Sequence, residues 1–158
     1  MPIEEKEFKI ESDAIMKQIS ILKKLNHKNI VKYISSSVSL EEYRIDIILE
    51  YFPAGSLKNL LDRYGPLNDK LIRIYARQIL EALQFIHSQG IIHMDLKSSN
   101  ILINNDANIK LSDFGSFLQR RFLNHSKIIH KNFNSLNWMS PEVNYYKGIK
   151  AIQLWNSF

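Results

Sequence analysis

Between residues 91 and 115 no apolar run is long enough for a helix. Ile91-Ile92, Ile101 to Ile103 and Ile109 to Leu111 are short pieces, separated by polar residues and by the turn formers Asn104-Asn105-Asp106. The spacing predicts short strands, with His93, Asp95, Lys97, Asn100 and Asp113 carried on the tight connections between and after them. Turn propensity accounts for any one of these residues taken alone. It does not account for His93, Asp95, Lys97, Asn100 and the Asp113-Phe114-Gly115 triplet together, a set whose chance match is on the order of 10⁻⁹ per starting position.

The rest of the chain supplies the elements that could hold such a scaffold. Ile15, Ile19, Leu22 and Leu25 predict a helix over 12–25 with one buried face, and Ser12 or Asp13 is placed to cap it. Ile30 to Ile34 and Tyr43 to Glu50 read as two strands joined by a serine-rich turn at 35–39. The second strand sets Tyr43, Ile45, Ile47 and Leu49 on one face against Arg44, Asp46 and Glu50. Pro53-Ala54-Gly55 breaks that strand. Ser56 can cap a short helix through Leu57, Leu60, Leu61 and Tyr64, which Gly65-Pro66 stops. A longer helix over 69–88 shows Leu71, Tyr75, Ile79, Ala82, Leu83 and Ile86 on one face and ends at Gly90. The stretch from Ser116 to Leu136 has neither a clear period nor strong turn chemistry, and loops of that length are usually functional or mobile.

Composition excludes several classes. With 158 residues, 45% of them hydrophobic, the chain has the size and content of one globular domain. The net charge of +5 is spread along it with no basic run, so no nucleic-acid partner is expected. There is no cysteine for a disulfide or thiolate site, and the five histidines lack zinc-ligand spacing. No apolar run reaches the length of a membrane span, and the N-terminus, charged from its fourth residue, lacks an apolar signal core, which together predict a soluble intracellular protein without membrane insertion.

The stretch IIHMDLKSSNILI followed by Asp-Phe-Gly resembles the catalytic loop and metal-binding triplet of protein kinases, with Met94 in place of the usual arginine. The resemblance covers nearly the whole chain and implies an α+β, two-lobed kinase fold that is only partly present. Residues 1–49 would be a remnant of the small lobe, 50–55 the hinge, and 56–142 the catalytic part of the large lobe with its activation segment at 113–142. Residues 143–158 would form an atypical tail. The implied catalytic residues are Asp95, which accepts or orients the substrate hydroxyl proton, Lys97 beside the transferred phosphate, and Asn100. Asn100 and Asp113 would bind magnesium. ATP would lie between Leu49, at the back of the adenine pocket, and Leu102, on its floor, with the base held by backbone groups of Glu50 and Phe52. Leu22, Tyr33, His93 and Phe114 would stack as a regulatory spine. Trp138-Met139-Ser140-Pro141-Glu142 resembles the end of the activation segment, and Ser135 stands where the family keeps a threonine. Lys97 marks similarity to the serine/threonine type, and LKKLNHKNIVKYI with LEYFPAGSLKNLL is most like the mitogen-activated kinase kinase kinases of the STE group. A protein substrate with Ser or Thr is the implied partner.

Four departures from the family pattern bear on competence. The first eleven residues contain no glycine, so the phosphate-covering Gly-rich loop and the third-strand lysine are expected to be missing. Gln18 occupies the helix position of the glutamate that pairs with that lysine. Met94 removes the arginine that reads loop phosphorylation. Ile152 replaces an aspartate that braces the catalytic loop. Two readings therefore stay open: a serine/threonine kinase fragment, or a catalytically inactive pseudokinase that serves as a regulatory or partner-binding module.

Overall fold

The computed structural model describes residues 3–39, 41–114, 118–119 and 138. They form helix α1 (Ile3–Leu22), a β1–β2 hairpin (Tyr33–Ser39 and Arg44–Leu49), helices α2 (Leu57–Tyr64) and α3 (Asp69–Ser88), and four short strands. These are β3 (Ile91–Ile92), β4 (Ile101–Ile103), β5 (Ile109–Leu111) and β6 (Leu118–Gln119), with one 3-10 turn at Ser98–Asn100. The strands pair antiparallel as β1 with β2, β3 with β6 and β4 with β5, giving three two-stranded sheets among the described residues.

The two helices of the second half follow their local chemistry. Ser56 caps α2 in a reciprocal box: its hydroxyl accepts the Asn59 N–H at 3.2 Å, and Asn59 Oδ1 accepts the Ser56 N–H at 2.9 Å. Gly55 precedes the cap at φ 75°, and an added Cβ there would lie 3.0 Å from Asn59 Oδ1, so the turn into the helix requires glycine. Asn68 caps α3 by accepting the Leu71 N–H at 2.9 Å, and the helix spans the expected 69–88. Its predicted face is the one that packs: Tyr75, Ala82 and Ile86 are buried, with Leu71, Ile79 and Leu83 against them.

Three expectations are corrected. Helix α1 begins at Ile3, not at residue 12, and ends at Leu22. Ser12 lies inside it, where its hydroxyl donates back to the Lys9 carbonyl at 2.9 Å, so neither Ser12 nor Asp13 is the cap. Residues 35–39 are strand, not turn: Ser35 to Ser39 pair with Ile48 to Arg44, and the reversal comes at residues 40–43, where Tyr43 takes φ 48°. Serines read as turn formers, but cross-strand pairing with RIDIIL holds them extended. Ile30 instead makes a parallel bridge to Leu111. The alternation along β2 does not correspond to a buried face, because Ile47, Ile48 and Leu49 are all exposed among the described residues.

The core lies between α3 and the β3, β4 and β5 strands. Ala82, Ile86, Ile109 and Leu111 have no exposed surface, and Leu25, Ile30, Ile101, Ile103 and Phe114 join them. Backbone bonds seal its edge: Leu111 N–H donates to the Asn29 carbonyl and Val31 N–H to the Leu111 carbonyl, each at 2.9 Å. Gln78 of α3 closes one end, accepting the Ile109 N–H at 2.8 Å and donating to Asn108 Oδ1 at 2.7 Å. No helix among the described residues is long and apolar enough to cross a membrane.

Candidate active site

The loop from His93 to Asn100 leaves β3 and returns into β4, so its ends are fixed by the core strands Ile91-Ile92 and Ile101–Ile103. Inside it, the Asp95 carboxylate is held from two sides. Lys97 Nζ lies 2.7 Å from Asp95 Oδ2, and Asn100 Nδ2 donates to the same oxygen at 3.0 Å and to the Asp95 carbonyl at 2.9 Å. Side-chain exposure of the ion pair is only 23% for Lys97 and 15% for Asp95, so water screens it far less than a surface pair.

His93 organises the entry to this loop. Its ring is buried against Phe114, centroids 4.9 Å apart, and Nε2 lies 2.9 Å from the Ser112 carbonyl. A carbonyl only accepts, so Nε2 carries the proton and Nδ1 is left to accept the Asp95 N–H at 3.3 Å. Burial pushes the imidazole below its ordinary pKa of 6.5, against the Ser112 bond and the nearby Asp113 and Asp95 charges, which raise it. The neutral tautomer is the one both hydrogen bonds need. Met94 and Asp113 both sit at positive φ, 68° and 59°, which turns the backbone sharply just before Asp95 and at the second aspartate.

Of the expected site residues, Asp95, Lys97 and Asn100 are bonded to one another. Asp113 directly follows Ser112, whose N–H donates to the Asn100 carbonyl at 2.9 Å. Asn100 and Asp113 supply hard oxygen donors. Because Nδ2 of Asn100 is turned to Asp95, its Oδ1 is the atom that can face a cation. No cluster of three or more His, Asp or Glu among the described residues could hold a metal by itself. Two protein oxygens with substrate phosphates and water are the set magnesium accepts, so the residues fit it as a shared ion.

The expected nucleotide positions form a second group. Phe52 is buried, with its carbonyl accepting the Gly55 N–H at 3.0 Å, whereas Leu49 is 38% exposed. Leu102 pairs with Lys110 across β4–β5 and bridges to Ser56 on its other side. The Glu50 N–H donates to the Lys32 carbonyl, and its carboxylate receives Lys110 Nζ at 2.6 and 2.8 Å. Lys110 also lies 5.9 Å from the centre of the Phe52 ring. Neither Lys110, within β5, nor Ser112, just after it, stands out in the sequence, and only the fold brings them to Glu50 and Asn100. Of the expected spine, His93 and Phe114 are in contact and Leu22 packs on the core; Tyr33 is covered by Lys23, 5.3 Å from its ring centre. Gln18 falls within α1. Gly115, Ser135, Met139 to Glu142 and Ile152 lie outside the described residues, and Trp138 is exposed.

Asp95 is thus held by a lysine and an asparagine, and a second aspartate, Asp113, follows β5 by two residues, a set of groups suited to phosphoryl transfer. Residues 2–155 match the protein kinase domain, and the chain belongs to that family. It is 40% identical over 148 residues to "MAP3K epsilon protein kinase 1" of Arabidopsis thaliana, an alignment covering 91% of this chain and 10% of that protein. It is 39% identical to "MAP kinase kinase kinase mkh1" of Schizosaccharomyces pombe, with 91% of this chain and 13% of that protein covered. It is also 39% identical to "Serine/threonine-protein kinase STE11" of Saccharomyces cerevisiae, covering 83% of this chain and 18% of that protein. The chain therefore spans between a tenth and a fifth of the length of these relatives.

Proposed function

We propose that this chain is catalytic-domain sequence of a protein serine/threonine kinase that passes the γ-phosphate of ATP to a Ser or Thr hydroxyl of a protein in a signalling cascade. The observation that carries the reading is the double hold on Asp95, from Lys97 at 2.7 Å and Asn100 at 3.0 Å. In this scheme Asp95 orients the attacking hydroxyl and takes its proton, Lys97 neutralises charge on the phosphoryl group in flight, and Asn100 and Asp113 hold magnesium. The ion, when bound, offsets charge on the phosphate oxygens. Leu49 and Leu102 flank the adenine and the backbone of Glu50 and Phe52 reads it, within a hinge at 50–55 between a small lobe, 1–49, and a large-lobe part, 56–142. The relatives' names, kinases of the mitogen-activated cascade and of the serine/threonine type, support the substrate class.

The test is phosphate transfer from radiolabelled Mg-ATP to a Ser/Thr protein substrate by the purified chain. Asp95→Asn, nearly isosteric, is expected to lower the rate by about 10²- to 10⁴-fold while leaving the circular dichroism spectrum unchanged. Equal turnover in the two proteins would overturn the role of Asp95. A wild-type chain that neither transfers phosphate nor binds Mg-ATP would overturn the kinase reading and leave the partner-binding module standing.

A further inference from the structure

The loop carrying Asp95 and the segment leading from β5 to Asp113 are joined by a closed ring of hydrogen bonds, and two of its members, His93 and Ser112, have no role in the proposed chemistry. Asp95 accepts from Asn100 Nδ2 at 3.0 Å, and the Asn100 carbonyl accepts from Ser112. The Ser112 carbonyl bonds His93 Nε2 at 2.9 Å, and His93 Nδ1 accepts the Asp95 N–H at 3.3 Å. Ser112 enters this ring twice. Its N–H and its Oγ both donate to the Asn100 carbonyl, at 2.9 and 3.0 Å. Backbone pairing needs only the first of these bonds; the hydroxyl adds a second donor to an acceptor that has two lone pairs. Ser112 and Asn100 are both buried, at 8% and 6% exposure, so water does not readily replace a lost donor there.

From this geometry we infer that Ser112 is a positioning residue: its hydroxyl fixes the distance between the Asn100 and Asp113 oxygens that are to share one magnesium ion. Asp113 is the next residue along the chain and takes a left-handed backbone, φ 59°, so any slack at Ser112 is transmitted to the Asp113 carboxylate with no intervening residue to absorb it. Octahedral magnesium tolerates little variation in ligand placement, which makes metal-dependent binding the property most sensitive to that slack. The inference rests on the kinase reading and adds to it a residue outside the catalytic set.

The experiment uses the full chain and two substitutions, Ser112→Ala, which deletes the hydroxyl, and Ser112→Thr, which keeps it. Magnesium is titrated at fixed ATP with calorimetric detection of binding, and amide hydrogen exchange at Asp95 is measured without nucleotide. In Ser112→Ala the magnesium concentration at half-saturation is expected to rise about fivefold and Asp95 exchange to quicken by a similar factor, as for loss of one buried hydrogen bond. Metal-free ATP binding should stay unchanged, and Ser112→Thr should restore the wild-type midpoint. A folded Ser112→Ala protein with the wild-type magnesium midpoint, or with flat Asp95 exchange, would overturn the assignment alone. No magnesium-dependent binding by the wild type would overturn the kinase reading, and this assignment with it.

Discussion

The β1–β2 hairpin and the block formed by α3 with β3, β4 and β5 use similar residues to opposite effect. In the block, Ile86, Ile109 and Leu111 lose all exposure, and polar neighbours such as Gln78 and Asn29 spend their hydrogen bonds on strand backbone. In the hairpin, Ile34 keeps 57% and Ile48 54% of their surface, and the strands rest mainly on each other, with Phe8 of α1 5.5 Å from Tyr43 at the turn. An isolated two-stranded hairpin is marginal in water. The difference teaches where rigidity resides. Asp95, Lys97 and Asn100, proposed to position a reacting hydroxyl, sit on the block; Leu49 and Glu50, proposed to grip a ligand, sit at the end of the looser hairpin.

The widest gap should appear in core truncation. Ile109→Ala is expected to cost about 2–5 kcal/mol in urea unfolding, whereas Ile48→Ser on the exposed hairpin strand should fall within about 0.5 kcal/mol. Comparable losses at both positions would break the contrast. Acid should attack the block next. His93 is held low by burial, His87 by burial, and His27 by burial and then by Lys28, with Glu81 opposing, all from an ordinary value of 6.5. The unfolded chain takes up these protons as pH falls through 6.5, before the folded one does, so stability is full above 6.5 and declines below it until the lowered folded values are passed. His93→Gln should flatten part of that decline in thermal scans from pH 7.5 to 5; an unchanged slope would remove His93 from the account. Smallest is the tie between the regions. Glu50→Gln breaks a partly exposed pair with Lys110 and should cost about 1 kcal/mol by denaturant midpoint.

Much of the block was legible because its signals are local. Gly90 marks the stop just past α3, and the period of Leu71, Tyr75, Ile79, Ala82, Leu83 and Ile86 marks the face that packs. Asp95, Lys97, Asn100 and Asp113 were picked out by spacing, since phosphoryl transfer would need those residue types in that order, and the fold brings the first three into contact. The hairpin was misread for the complementary reason: Ser35, Ser36 and Ser37 favour turns in isolation, and only a partner strand from residues 44–49 makes them extended. Helix α1 was cut short because Ser12 resembles a cap, and a hydroxyl that bonds back to Lys9 within a helix looks the same on paper. Lys110 reaches Glu50 across sixty residues of chain, and no spacing rule carries that distance.

Asn29 to Val31 lie beside β5, bonded to Leu111 through the Asn29 carbonyl and the Val31 N–H, and Asn29 Nδ2 donates to the Ile109 carbonyl at 2.8 Å. Three bonds to one short strand make that segment a fulcrum. Any swing of α1 would pivot ahead of Asn29, and the torque it delivers would be borne by the same strand that leads, two residues past its end, to Asp113.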